Sequence, residues 1–275
     1  MSITAAEVKK LRDHTGAGMM DCKKALKEAD GDFDKAIEVL RKKGQKLSAK
    51  RADRAAKEGV VTAAVSDDNS KGVVIRLSCE TDFVAKNDDF VEFAQKIAER
   101  ALAEFPDSTE ELLQLELGDI AIGEKITEQI GVIGEKIELA DYQRLESEQV
   151  VSYIHMGNKA GVILGLNQSG EEAAKAGRDV AMQVAAMRPV AVSKDDVTQD
   201  IIDKELEIGR EIALKEGKPA NIVDKIAQGK LNKFFKENTL LHQSFVKDSS
   251  MSVEKYLQTI SPELTVTGFK HIELG

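Results

Sequence analysis

The side chains best suited to metal binding or nucleophilic attack are four histidines and two cysteines, and none stands at a spacing that would let it act. His14, His155, His242 and His271 form no metal-ligand pattern with one another or with Cys22 and Cys79. No glycine-rich loop of the P-loop or dinucleotide type is present, and the many carboxylates follow the spacing of solvated helix faces. Cys22 falls on an apolar helical stripe and Cys79 on an apolar strand face, where a thiol behaves as a small hydrophobe. An enzyme would need a convergent polar pocket, so that reading ranks last. What remains is the chemistry of contact. Met19 and Met20 follow the turn Thr15-Gly16-Ala17-Gly18, where flexible thioethers suit an adaptable protein surface, although Met19 suits a small core equally well. His155 stands at a turn beside Met156-Gly157, where an isolated histidine commonly has no special role. Phe83 is a ring flanked by charge in Thr81-Asp82-Phe83-Val84-Ala85-Lys86-Asn87.

Two elements must position that ring. Before it, Val73, Ile75, Leu77 and Cys79 alternate onto one face of a strand. After it, Phe90, Phe93, Ala94, Ile97 and Ala101 make one helical stripe, with Asn87 or Asp88 as N-cap. Phe83 belongs to neither pattern, and spacing alone favours a plug folded back on its own core over an anchor for a partner. A second hairpin and helix bears on the choice. Gln149 to His155, the turn Met156 to Lys159, and Gly161 to Leu166 repeat the arrangement of Val60 to Val65, Asp67 to Ser70, and Val73 to Cys79, with a helix following from Ala173 to Met187. This reads as a diverged internal repeat. Its second copy carries Gly170-Glu171-Glu172 where the first has Thr81-Asp82-Phe83, so the architecture does not demand an aromatic there.

The rest of the chain organises around these units. Thr4 and Glu7 form a capping box, with Ile3 and Val8 as its hydrophobic staple, and open a helix that carries Val8 and Leu11 and stops in Thr15 to Gly18. A second helix places Met19, Cys22, Leu26 and Ala29 inward, and a third places Phe33, Ala36, Ile37 and Leu40 inward and ends at Gly44. Residues 1–45 thus form a small three-helix module. The basic stretch 46–58, with almost no large apolar side chains, reads as a solvated, partly helical linker. Helices near Thr109 to Leu117 and Ile120 to Ile130 and a strand from Lys136 to Tyr142 separate the two hairpins. Beyond Pro189, Val197, Ile201, Ile208 and Ile212 mark one helix, and Ile222, Val223 and Ile226 a second. The short turn Glu216 to Pro219 makes them antiparallel neighbours with a narrow apolar seam. A helix near Val253 to Ile260 and a strand-like Leu264 to Phe269, able to complete a sheet, close the chain. Two cysteines and a start unlike a signal peptide suggest a cytosolic protein, and no apolar run is long enough for a membrane. The net charge of -9 disfavours nonspecific nucleic-acid binding unless a local basic patch acts, so the expected partner is a protein, with no direct nucleic-acid contact.

Thr15-Gly16-Ala17-Gly18-Met19-Met20-Asp21-Cys22-Lys23-Lys24-Ala25-Leu26, then Thr81-Asp82-Phe83-Val84-Ala85-Lys86, then the repeated hairpin and the helical hairpin in that order, resemble the bacterial elongation factor Ts family over nearly the whole chain. The resemblance implies an α+β fold: a ubiquitin-associated-like module at 1–45, the linker 46–58, two hairpin-helix subdomains at 59–140 and at 141–190 with 234–275, and an inserted coiled-coil hairpin at 191–233. It also implies a cytoplasmic guanine nucleotide exchange factor that binds elongation factor Tu in its GDP form. GDP would be released by displacing Mg²⁺ from that GTPase and disturbing its phosphate site, with no cofactor or metal held by this chain. Thr81, Asp82, Phe83 and Val84 would dislodge the Mg²⁺, Phe83 as a wedge and Asp82 as its polar guide. His155 would push at a second point, while Leu11, Met19, Met20, Lys23 and Lys86 would make further partner contacts. A dimer of heterodimers through the core or the helical hairpin is left open. The rival reading is a non-exchanging scaffold or chaperone-like binder.

Overall fold

The computed structural model describes residues 3–275. Three helices come first: α1 (Ala5–Thr15), α2 (Met19–Glu28) and α3 (Phe33–Arg51). The capping box at α1 is present, since the Thr4 side chain accepts from the Glu7 amide and the Glu7 carboxylate accepts from the Thr4 amide. Gly16 ends the helix with φ 70°, a left-handed conformation that glycine adopts at little cost. Val8, Leu11, Ala17, Cys22, Ala25, Leu26, Ala29 and Ala36 fill the small core between the three helices.

The third helix corrects the sequence reading. It runs past Gly44 to Arg51, so the first part of the segment read as a solvated, partly helical linker, residues 46–51, continues the third helix. The reason is tertiary. Strands β1 (Glu58–Val65) and β2 (Lys71–Cys79), helices α4 (Asp82–Ala85), α5 (Asp88–Glu104) and α6 (Thr109–Gln114), and the short strands β3 (Glu116–Leu117) and β4 (Ile120–Ala121) lead to α7 (Ile122–Ile133). Helix α3 crosses α7 at Gly44 and Gly131. A Cβ on Gly44 would lie 2.7 Å from the Thr127 carbonyl oxygen, and one on Gly131 would lie 3.0 Å from the Gly44 Cα. Arg41 Nε donates to Glu128 at 2.8 Å beside this crossing, and Val132 of α7 packs onto the core of the first three helices. A glycine that reads locally as a helix stop is thus a contact point inside a helix.

Strand β5 (Ile137–Glu146) joins the first hairpin in a sheet of order β1-β2-β5, antiparallel throughout. The second sheet has order β10-β7-β6, built from β6 (Gln149–Ile154), β7 (Ala160–Leu166) and β10 (Val266–Glu273). Both late strands expected from the sequence therefore pair with the second strand of a hairpin. On one face of the first sheet Val73, Ile75, Leu77 and Cys79 pack against Phe90, Phe93, Ala94, Ile97 and Ala101 of α5, as the alternation predicts, and against Ile122, Ile126 and Ile130 of α7. On the second sheet Val162, Leu164 and Leu166 pack against α8 (Glu171–Met187) and α11 (Val253–Ile260). The opposite faces meet each other through Val61, Val74, Val150, Ile163 and Ile272. The layers are helix, sheet, sheet, helix. Burial on both faces explains why β2 and β7 read as near-continuous apolar runs.

Between α8 and α11 the chain leaves the second sheet. Helices α9 (Gln199–Lys215) and α10 (Ala220–Asn238) pack antiparallel, and β8 (Ser244–Phe245) with β9 (Asp248–Ser252) forms a small hairpin after them. The seam between α9 and α10 departs in part from the residues expected: Val223 is buried as expected, but Ile208 and Ile222 are not. Gly209, Ala213, Val223, Ala227 and Leu231 are buried in it, whereas Ile208, Leu214 and Ile222 are exposed. A Cβ on Gly209 would lie 3.0 Å from the Ala227 Cα, so small residues set the spacing. At the base, Ala191 and Thr239 form a parallel bridge, and Val190 N–H donates to the Asn238 carbonyl at 2.9 Å.

Candidate functional site

Thr81 opens α4 as its N-cap, its hydroxyl accepting from the Val84 amide at 3.5 Å. The segment read as a loop is therefore one turn of helix. Three of its residues have inward tasks. Thr81 donates through its amide and its hydroxyl to the two oxygens of Glu135, at 3.0 and 2.7 Å. Val84 and Ala85 pack on the first core cluster. Phe83 points the other way and is 83% exposed. The self-plug favoured by spacing is therefore overturned: with Val84 and Ala85 facing the core, a helical turn carries residue 83 outward. Lys86 Nζ donates to Asp82 Oδ2 at 2.7 Å, an i,i+4 pair on the exposed side of the turn. The hydrogen bond to Lys86 holds the Asp82 carboxyl below its ordinary range, and the same contact raises Lys86. Asp82 is thus an ionised acceptor on the exposed side of the turn.

The thiol nearest this turn is not available for reaction. Cys79 Sγ donates to the Thr81 carbonyl at 3.2 Å, and burial, reinforced by the Glu135 carboxylate, pushes the thiol up to about 12. Burial also raises Cys22. Both are core residues, as their positions in the sequence suggested.

Other candidate residues stand elsewhere on the surface, with one exception. Met19 is 44% and Met20 65% exposed, and Lys23 is exposed on the same helix. Met19 therefore does not join Cys22, Leu26 and Ala29 on the inner stripe of α2. Leu11 is wholly buried, and this corrects its assignment as a partner contact: it holds α1 to α2 and α3 and cannot meet a partner directly. His155 is exposed at the tip of the β6–β7 hairpin beside exposed Met156, its Nδ1 3.1 Å from the Tyr153 hydroxyl. With Tyr153, Lys57 and Glu58 it lines an open cavity of about 660 Å³. Glu58 is also the register partner of Cys79, just before the Phe83 turn. The structure thus brings the His155 tip and the Phe83 turn to the two sides of one end of β1.

Sequence reasoning missed the residues that brace the turn: Glu80, Glu135, Arg51 and Arg54. Arg51 and Arg54 lay in the run read as solvated linker, and their pairing with Glu80 depends on α3 reaching that far. Among the described residues no three of His, Cys, Asp or Glu are placed to hold a metal ion, and no helix is long and apolar enough to cross a membrane.

Exposed apolar side chains on braced polar turns, with the thiols buried and the histidines apart, are the make-up of a contact surface. Comparison with known proteins gives that surface a setting. The family model described as Elongation factor TS matches residues 80–275. The elongation factor Ts of Christiangramia forsetii is 56% identical over 273 residues, covering 99% of each chain. That of Amoebophilus asiaticus is 53% identical and covers all of both chains, and that of Chlorobium phaeobacteroides is 46% identical over 99% of each. The chain belongs to the elongation factor Ts family, and so to the machinery of translation elongation.

Proposed function

We propose that this protein is a guanine nucleotide exchange factor for elongation factor Tu, acting in the cytoplasm without direct contact to nucleic acid. It performs no bond chemistry. A GTPase holds GDP through backbone amides around the phosphates and through Mg²⁺, so a protein that binds best to the geometry in which those contacts are lost accelerates release. By linkage, a factor that weakens GDP binding is itself weakened by GDP to the same extent.

The observation that carries this reading is the presentation of Phe83: an apolar ring 83% exposed on a turn whose neighbours are fixed by a cap, two hydrogen bonds to Glu135 and core packing. Fully burying a phenylalanine side chain is worth about 1.5–3 kcal/mol. Spent only on the nucleotide-releasing state, that would speed release by about ten- to a hundredfold. Phe83 is the wedge that moves the Mg²⁺-positioning elements of the GTPase, and Asp82 trades Lys86 for donors of the partner. Thr81 and Val84 hold the wedge, Lys86 flanks it, and His155 presses at a second point near the phosphate loop. Met19, Met20 and Lys23 anchor the three-helix module, of ubiquitin-associated type, on the same GTPase. The two sheets with their helices are diverged copies of one unit, and the α9–α10 hairpin is an insertion into the second. That hairpin or the core would join a dimer of heterodimers.

Stopped-flow release of fluorescent GDP from elongation factor Tu tests the reading. Acceleration by the intact chain that is lost in Phe83→Ala and reduced in Asp82→Ala supports the wedge. Unchanged acceleration in both overturns it, and no acceleration by the intact chain leaves a non-exchanging scaffold.

A further inference from the structure

The Phe83 turn is fastened on both sides by carboxylates that belong to neither its cap nor its core packing. On the near side Glu80, with a side chain only 14% exposed, accepts from Arg51 Nη1 at 2.6 Å and from the Lys136 amide at 2.6 Å on Oε1, and from Arg54 Nη1 at 3.0 Å on Oε2. On the far side Glu135 holds the amide and hydroxyl of Thr81. Glu135 follows Gly134, the C-cap of α7, while Arg51 is the last residue of α3. The contacts therefore close a ring: α3 is bound to α7 at Gly44–Gly131 and Arg41–Glu128, α7 leads to Glu135, Glu135 holds Thr81, and Glu80 returns to α3. The first three helices, with Met19, Met20 and Lys23, are continuous with that ring through α3 and packed on one core.

Such a ring is a poor device for stability alone. Taking a carboxylate and a guanidinium out of water costs much of what their attraction returns, and apolar replacements are often as stable. What a multiply bonded carboxylate does supply is direction, because each acceptor oxygen accepts only from a donor in line with it.

We propose that Glu80 and Glu135 are positioning residues for nucleotide exchange, holding the N-terminal module and the Phe83 turn as one rigid two-point surface. This rests on the exchange reading above. Two contact points joined stiffly at the right span bind as a unit, and little of their binding energy is lost to ordering. Energy gained where the module docks is then transmitted to the ring. With a loose joint, both points could bind while the wedge swivelled.

The test uses the full chain and its Glu80→Gln and Glu135→Gln variants, which keep side-chain shape and remove the charge. Fluorescent GDP release from elongation factor Tu is followed against factor concentration. Amide hydrogen exchange of the free chain is read in parallel at Val84, Ala85 and Lys86, with α5 as internal reference. The expected result is a maximal release rate lower by about five- to tenfold, as when a charge-assisted hydrogen bond is reduced to a neutral one about half as strong. The half-saturating concentration should stay within about twofold, because uniform binding is retained. The turn amides should exchange faster, while those of α5 should not. An unchanged maximal rate, or unchanged exchange at the turn, overturns the positioning role. Should Glu80→Gln melt, Arg54→Gln removes one exposed donor of the three and should show the same pattern more weakly. An intact chain that fails to accelerate GDP release would overturn the exchange reading itself, and loosened turn amides in Glu80→Gln would then still report the mechanical joint.

Discussion

Phe83 contributes almost nothing to folding, because a ring 83% exposed has removed little apolar surface from water. Phe83→Ala should therefore stay within about 0.5 kcal/mol of the parent and melt within about 2 °C of it by calorimetry. A larger loss would mean that the ring belongs to the core. Glu80 is the opposite case. Burial works to raise its carboxyl, but the Lys136 amide and the Arg51 and Arg54 guanidinium groups outweigh it and hold the group down at about 2, against an ordinary 4.5. A carboxyl lowered in the folded state stabilises that state above its unfolded value, and the contribution disappears as the pH falls through the folded value. Denaturant midpoints measured from pH 4.5 down to about 2 should fall more steeply for the parent than for Glu80→Gln, the window being set by those two values. Parallel slopes would contradict the network. At this scale the sequence was informative where the signal was local. Thr4 with Glu7, a cap at Asn87 or Asp88, and both thiols as core could be read directly, whereas Glu80 and Glu135 are two of many carboxylates until the chain that faces them is known.

Helix α3 shows how an element can be misread from a single residue. Gly44 has the chemistry of a helix stop, but its lack of a Cβ serves contact with the Thr127 carbonyl, and only the position of α7 reveals that. Gly44→Ala should lose about 1–2 kcal/mol by urea unfolding, because overpacking at the crossing exceeds the gain in helix propensity. Gly229 in α10 is the control. A Cβ there meets nothing within 4 Å, so Gly229→Ala should gain about 0.5–1 kcal/mol. Equal effects at the two sites would show that propensity, not the crossing, governs Gly44. Strands were misread in a subtler way. Alternation correctly assigned Val73, Ile75, Leu77 and Cys79 to the helix-facing side, but Val74 and Ile163 contact the other sheet, a partner that two-residue periodicity cannot reveal.

For the molecule as a whole, the pairing of each hairpin with a later strand was only partly legible. Lys136 to Tyr142 and Leu264 to Phe269 look like strands locally, but nothing in their composition says that both join the second strand of a hairpin. The α9–α10 hairpin leaves and returns at one place, between Ala191 and Thr239, with small residues closing its own seam. Replacing the stretch from Ser193 to Asn238 by a short glycine linker should therefore preserve a single cooperative unfolding transition by circular dichroism, and a loss of cooperativity would mean that the hairpin supports the second sheet. The distance along the chain between β7 and its partner β10 also has a consequence during synthesis. The first sheet can close once Glu146 has emerged from the ribosome, whereas Leu166 waits for Val266 while the intervening chain is made, on the order of five to twenty seconds at usual translation rates. For that interval the nascent polypeptide carries an unpaired, apolar strand edge, and the bridge of Thr239 to Ala191, which needs no residue beyond 239, would shorten the loop that β10 must close when it arrives.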